Sequence, residues 1–521
     1  MDERSQFYFT IHNYIIMPLK QIKQKIKEIL KDNYTPLVFC IIYTAIFSAA
    51  TILRYETFHS SFMDLGAEMQ AIYDIANGHF TYYKSNIIIG SSYIEPFYFI
   101  MGLLYKLAPH VSFFLILQSF AIGISGFPFY WIYKKLIGNN GAYIAPLLLL
   151  LNPQMHTGNM FDFHISMFYV PFISFALYFA MSRKYFLLYL FSFLILFTKI
   201  DSFIYLSAIC LYMILIDYKN KHNYILLAIS IGYGLSGIFI VLPLINHTAY
   251  NLIFGNGMSD FGPLRYPVLS YGIKDLLNLN ILGFLKTLFV PFSQNIYIYF
   301  KFILYFLIAL LFLPLFSGKY LLIVIPSFLV NYLVNYPFQS MIMLQYVYYM
   351  IPFFVLASIY GIKNIKSKRM FNKIEHKPNN KYYFNILLLF LLIGATFIIQ
   401  NYSEINPDKN VNIFDVQNYI YYKKLYAEDY TNALKKIPKN ATVSISEFAY
   451  PWDYMQKHVY LFPQVGKNTQ YIVVSTCVKE QLYGNKDEKR LEVLKHIINK
   501  KKFTIIYNKG CSVILKKLFK S

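Results

Sequence analysis

Long apolar runs separated by short polar loops set the pattern of this chain. The first run opens near residue 36 and lasts to about 53, a second covers about 111–133, and a third, about 142–151, continues into Asn152-Pro153. The fourth stops at Arg183-Lys184. Residues 185–216 taken as one helix would reach roughly 48 Å at 1.5 Å per residue, too long for a hydrocarbon core of about 30 Å. Lys199 and Asp201 interrupt that run, so it predicts a hairpin with arms 185–198 and 202–216. A seventh span follows over about 224–242, the eighth and ninth turn around Lys319, the tenth ends at Lys363, and the eleventh covers about 383–399. The shorter run 97–107 predicts a helix partly sunk into one leaflet. The pattern is that of a mainly α, polytopic transmembrane bundle of about 11 spans.

Beyond about residue 400 the period changes. Val443 and Ile445 alternate as in a strand, 471–474 is rich in β-formers, and Leu491, Leu494 and Ile497 recur at helical spacing. Residues 503–507 and 511–515 flank Asn508-Lys509-Gly510 as in a hairpin. The chain thus divides into a basic amphipathic segment (1–34), a transmembrane domain (35–400) and a small α/β domain (401–521).

Composition agrees with a membrane protein: 57% of residues are hydrophobic and 14% charged, where a soluble domain carries about a quarter charged residues. The net charge of +22 does not indicate nucleic acid, because Lys and Arg fall in short clusters between apolar runs, as topology signals do. Those signals place the N-terminus in the cytoplasm and the acidic loops and the tail outside the cell membrane. The basic stretch 20–31 precedes a run without a small-residue cleavage site and reads as a signal anchor. Cys40 and Cys210 lie in apolar runs and act as small hydrophobes, whereas Cys477 and Cys511 are placed to pair in an external tail. Asn246-His247-Thr248 and Asn440-Ala441-Thr442 match the glycosylation sequon.

Candidate chemistry lies in the loops. Glu56, Asp64, Glu68 and Asp74 sit close together without a neighbouring Lys, and Glu95, Asp162, His164, Lys199 and Asp201 join them from later loops. Ionisable groups near membrane depth are costly and mark sites or pathways. Asp64 is the candidate general base for a hydroxyl acceptor, and Lys199 can neutralise a phosphate. Glu68, Gln70 and Asp201 are candidate substrate contacts, and Asp162 with His164 can hold a divalent metal ion. The structural alternative is a set of solvated acids, a Lys199–Asp201 surface ion pair and an interfacial histidine. No phosphate-cradling glycine loop, zinc-spaced cysteine pair or nucleophile elbow is present in the sequence.

Met63-Asp64-Leu65-Gly66 with Gln70, then Glu95-Pro96, Asp162-Phe163-His164 and Lys199-Ile200-Asp201, together resemble the motifs of an uncharacterised family of prokaryotic membrane proteins, domain of unknown function 2079. The likeness spans most of 55–360, with a looser match in the tail. Met63, Glu95 and Ile200 depart from the residues usual in that family. The family is in turn similar to C-type (GT-C) glycosyltransferases. That resemblance implies a catalytic acid in the first external loop, matched by Asp64, and a second acidic position, matched by Asp162. It also implies a polyprenyl-phosphate-linked sugar donor, an acceptor on the external face and, often, a metal ion. A membrane glycosyltransferase is the expectation. A transporter or lipid flippase, and a non-enzymatic membrane protein with an external binding domain, remain open, although no paired inverted repeat is evident.

Overall fold

The apolar runs are helical wherever they can be followed. The computed structural model describes residues 19–78, 95–241, 244, 271–332, 345–367, 380–401, 416–423, 427–438, 440–455, 458–475, 487–500, 502–509 and 512–518. The helices used below are α1 (Leu19–Asp32), α2 (Tyr34–Glu56), α3 (Ala67–Ala76), α4 (Tyr98–Leu107), α5 (Val111–Ile124), α6 (Gly126–Leu136), α7 (Ile144–Leu150), α8 (Pro153–Phe161), α9 (Tyr169–Met181), α10 (Tyr185–Thr198), α11 (Phe203–Ile216), α12 (Lys221–Ser236), α13 (Ile351–Ser367) and α14 (Asn380–Asn401). Among the described residues, five segments are long and apolar enough to cross a membrane by length and composition: Tyr34–Glu56, Val111–Leu136, Lys221–Val241, Tyr346–Ser367 and Tyr383–Asn401. Six shorter apolar helices, including both arms of the hairpin around Lys199, complete the bundle.

Packing between these helices relies on small residues and on hydroxyls that satisfy themselves. Ser119, Ser125 and Thr51 each donate to a carbonyl one turn earlier in their own helix, which leaves no stray donor facing hydrocarbon. A Cβ on Gly123 would stand 3.0 Å from the Cys40 carbonyl, so α2 and α5 approach to a distance that only glycine permits. The main core joins Ile132, Leu148, Tyr205, Phe306 and Phe354 from helices far apart in sequence.

Charge separates the bundle into two ends. At one end Lys135 and Lys319 donate to the Met181 and Leu215 carbonyls, in the last turns of α9 and α11, where the helix dipole favours a cation. Lys366 reaches Tyr133, Arg183 pairs with Asp217, and Trp131 donates to Asn33 at the start of α2. The opposite end carries the acids of α3, the α8–α9 loop and the hairpin tip.

The tail forms a five-stranded sheet in the order β2-β1-β3-β5-β4, with β1 Thr442–Ile445, β2 His458–Leu461, β3 Tyr471–Ser475, β4 Phe503–Lys509 and β5 Ser512–Lys517. β1 runs parallel to β2 and β3, while β5 is antiparallel to β3 and β4. The expected hairpin is present, with a register shift between Ile505 and Tyr507. Strand alternation divides its side chains. Ile472, Val474 and Leu515 pack with Leu494 of the helix Asp487–Asn499 (α16), whereas Val443, Ile445, Val473 and Ile514 share a core with Phe58, Phe62, Leu65 and Met69. One face of the tail sheet is therefore continuous with the acidic end of the bundle. Cys477, Cys511 and the Asn246 sequon lie outside the described residues.

Candidate active site at the acidic end

Arg54, in the last turn of α2, organises the acidic end. Its Nη1 lies 2.6 Å from Asp162 Oδ1 and also donates to the carbonyl of Phe161, the last residue of α8. The other Asp162 oxygen accepts from the Ser61 amide at 3.0 Å. Both side chains of the pair are almost wholly buried, at 4% and 1% exposed. The two positions of Asp162 thought free for a metal are thus engaged by a guanidinium and a backbone amide, and the residue ties the α2–α3 loop to the α8–α9 loop. Gln118 of α5 braces the second loop from below, donating to the Asp162 carbonyl and accepting from the His164 amide.

Ser61 also caps the turn that carries Asp64. Phe62–Gly66 is a single π-helical turn leading into α3, and the Ser61 hydroxyl both accepts from the Asp64 amide and donates to Asp64 Oδ2 at 2.9 Å. Such local widening recurs at functional sites. Asp64 Oδ1 faces His164 Nε2 at 3.1 Å, across one hundred residues of sequence. The Asp64 side chain keeps 18% of its surface exposed. Burial pushes its carboxyl up, but the His164 hydrogen bond and charge, Ser61 and Arg54 outweigh that and hold it below the usual value. His164 is the mirror case: burial pulls it down, and the bond and charge of Asp64, with Glu68 and Asp162, hold it above the usual value. The two shifts agree on a carboxylate–imidazolium pair.

A second group lies one helical turn on. Glu68, four residues after Asp64 and hence on the same side of the chain, accepts from Tyr98 at 2.8 Å. Burial first and the Glu95 carboxylate second push Glu68 up to about 7, against the pull of His164, Tyr98 and Lys199. Glu95 itself pairs with Lys199 at 2.9 Å. Asp201 accepts instead from Tyr169 at 2.8 Å and Tyr205 at 3.4 Å. The Lys199–Asp201 surface pair envisaged from sequence is replaced by Lys199–Glu95 because the hairpin tip turns Asp201 towards the tyrosines of α9 and α11.

Gln70, expected to contact substrate, is buried, and its Oε1 accepts from Tyr450 of the tail at 2.5 Å. It fastens the tail to α3. Trp452, two residues on in the turn Tyr450–Asp453 (α15), stacks on Tyr55 at 4.7 Å and on Phe58 at 5.2 Å. Gly66 is required here, since a Cβ would stand 2.6 Å from the Tyr450 ring.

Among the described residues, no three His, Cys, Asp or Glu side chains converge as a metal ion would need. Asp64 and His164 face one another directly, and Asp162 is turned to Arg54. Among the described residues this donor set does not fit a resident metal.

Asp64, His164, Glu68 and Lys199, expected from sequence at one end, lie there together with Arg54, Ser61, Gln118, Tyr98 and Tyr450, which the sequence did not single out. Arg54 had a readable signal: a lone arginine at the end of a span opposite the basic loops. Gln118 had a weaker one, a glutamine inside an apolar run. Nothing local marks Tyr450.

A helical bundle with short apolar helices between long ones, a rim of acids at one end and a sheet docked on that rim defines a protein of the GT-C fold. Comparison with solved structures agrees. ArnT from Cupriavidus metallidurans bound to undecaprenyl phosphate superposes with a TM-score of 0.50 at 12% identity, covering 92% of this chain and 98% of that one. An oligosaccharyltransferase from Archaeoglobus fulgidus in its apo form aligns over 84% of this chain and 69% of that one, at 11% identity and a TM-score of 0.41. Both are GT-C glycosyltransferases. A search of curated proteins finds no match. The chain belongs to the family of predicted membrane proteins DUF2079, whose pattern it matches over residues 54–508.

Proposed function

We propose that this protein is an integral-membrane glycosyltransferase that takes a sugar from a polyprenyl-phosphate carrier and passes it to an acceptor at the acidic, external end of the bundle. One observation carries the reading. Four segments separated by up to about a hundred residues each bring the Asp64–His164 pair, Glu68 and the Lys199–Glu95 pair to one end of a GT-C fold, which is the convergence that group transfer requires. ArnT bound to undecaprenyl phosphate supports the class of donor.

In this reading Asp64, fixed by Ser61 and kept ionised by His164, orients and polarises the acceptor hydroxyl towards the anomeric carbon. Lys199 meets the carrier phosphate and stabilises the charge that grows as the sugar departs. The acceptor oxygen forms the new bond to the anomeric carbon. The old bond to the phosphate oxygen breaks, its electron pair leaves with the polyprenyl phosphate, and the acceptor proton passes to a carboxylate of the site.

The test is release of polyprenyl phosphate from lipid-linked sugars extracted from native membranes. Asp64→Asn keeps the size of the side chain and removes its charge. Release should fall by about 10²-fold, the cost of misplacing a reacting group, at unchanged protein level. Lys199→Ala should weaken donor binding. Wild-type release at the level of Asp64→Asn, with lipid moved across vesicles instead, would replace the enzyme with a transporter.

A further inference from the structure

We infer that Glu68, rather than Asp64, is the group that accepts the acceptor's proton. This deepens the proposed glycosyl transfer and rests on it. Both oxygens of Asp64 are engaged inside the protein, Oδ1 by His164 and Oδ2 by the Ser61 hydroxyl. A carboxylate held this way is a good positioner and a poor base, because taking up a proton would break one of its two bonds. Glu68 is arranged differently. Among the described residues its one hydrogen-bond partner is Tyr98, on Oε2, and the residue is half-buried rather than enclosed, which leaves Oε1 as the oxygen to take a proton. It stands one helical turn from Asp64 and lies within electrostatic reach of His164 on one side and of the Lys199–Glu95 pair on the other.

Glu68 thus feels the charges of both His164, the partner of Asp64, and Lys199. The charged neighbours that act on it are Glu95 as an anion and His164 and Lys199 as cations, with the Tyr98 hydroxyl as donor. Burial and Glu95 push it up to about 7, where a carboxyl exchanges protons most readily at neutral pH. The transfer then balances. The acceptor O–H breaks and its proton moves to Glu68 Oε1; the acceptor oxygen bonds to the anomeric carbon; polyprenyl phosphate leaves with the electron pair against Lys199. The ionised form of Glu68 takes the proton, whereas its neutral form, which cannot, meets the incoming lipid phosphate with less repulsion.

Two readouts test this. In the first, infrared titration of the ligand-free full chain in detergent follows the protonated carboxyl band. A band that titrates near pH 7 in wild type and is missing in Glu68→Gln, while Asp64→Asn keeps it, is the expected result. Identical spectra for wild type and Glu68→Gln would overturn the inference whatever the protein's function. In the second, undecaprenyl phosphate is the binding probe. Wild-type affinity should fall by about tenfold from about pH 6 to about pH 8 as a second carboxylate charges beside the phosphate, and Glu68→Gln should lose that extra dependence. Wild type and Glu68→Gln sharing one pH dependence would refute Glu68 as the titrating group. A titrating Glu68 band with no affinity for the lipid at any pH would instead defeat the proposed function and remove Glu68's role in it. In transfer, Glu68→Gln should lower the maximal rate and leave the apparent affinity for lipid-linked sugar at low pH unchanged; an unchanged maximal rate would return the proton to another group.

Discussion

Replacing Asp162 by Ala should unfold the site rather than merely silence it. The variant takes the Asp162 carboxylate away from the Arg54 guanidinium, which is only 4% exposed and which also meets the Phe161 carbonyl and, at 3.4 Å, the Ser60 hydroxyl. Removing one partner of a buried ion pair costs about 3–5 kcal/mol, because the other charge stays buried. The Ser61 amide loses its acceptor as well, and a buried donor left unsatisfied costs about 1–3 kcal/mol. The Arg183–Asp217 pair supplies an internal control, since its side chains are 64% and 32% exposed and exposed pairs contribute about 0–1 kcal/mol. Melting in detergent, followed by size-exclusion chromatography, should therefore separate Asp162→Ala sharply from Asp217→Ala. The double variant Arg54→Met with Asp162→Leu should recover much of the loss, since a buried pair exchanged for apolar groups of similar volume is often close to neutral. If Asp162→Ala melts no earlier than Asp217→Ala, the Arg54–Asp162 pair is not the anchor described here, and Asp162 returns as a candidate for direct chemistry.

Three further outcomes follow from the same geometry. His164 has its folded pKa raised by Asp64, so its pairing stabilises fully below the unfolded value of about 6.5 and is lost as pH rises through the folded value; wild-type melting temperature should drop over that interval, and His164→Gln should lack this component. Gly66→Ala places a Cβ 2.6 Å from the Tyr450 ring; the strain, about 1–3 kcal/mol for overpacking, should appear as faster hydrogen exchange over residues 61–72. Cysteine accessibility in intact cells should find Asp32 on the cytoplasmic side and Lys509 on the external side, and the two on the same side would remove the external site.

The bundle was legible because apolar length survives any detail of packing, and the hairpin because Lys199 and Asp201 interrupt it where a single helix would be too long. Strands β1, β3, β4 and β5 were visible as β-rich runs, whereas β2, a four-residue strand paired on one edge, was not. The site was legible as a set of rare charges, but the wiring among them was not. Sequence spacing favoured Lys199 with Asp201, two residues apart; folding chose Glu95, because the 3₁₀ turn Ile200–Ser202 sends Asp201 towards Tyr169. Asp162 looked like a ligand for the same reason that it is an anchor: a lone carboxylate at membrane depth must have a partner, and sequence alone does not say whether the partner is a metal, a substrate or an arginine.

The contact between Gln70 and Tyr450 bridges 380 positions of the chain, and this bears on how the protein is made. At a synthesis rate of about 5–20 residues per second, the turn bearing Asp64 leaves the ribosome roughly 20–80 seconds before the ring that settles against it. During that interval the first spans are already in the bilayer, but the acidic end lacks the sheet that packs against it. An unfinished chain is therefore a membrane protein without its finished acidic end, and a product truncated before Tyr450 would insert and yet fail to reach the arrangement described. Completion of translation is what brings the sheet to that end.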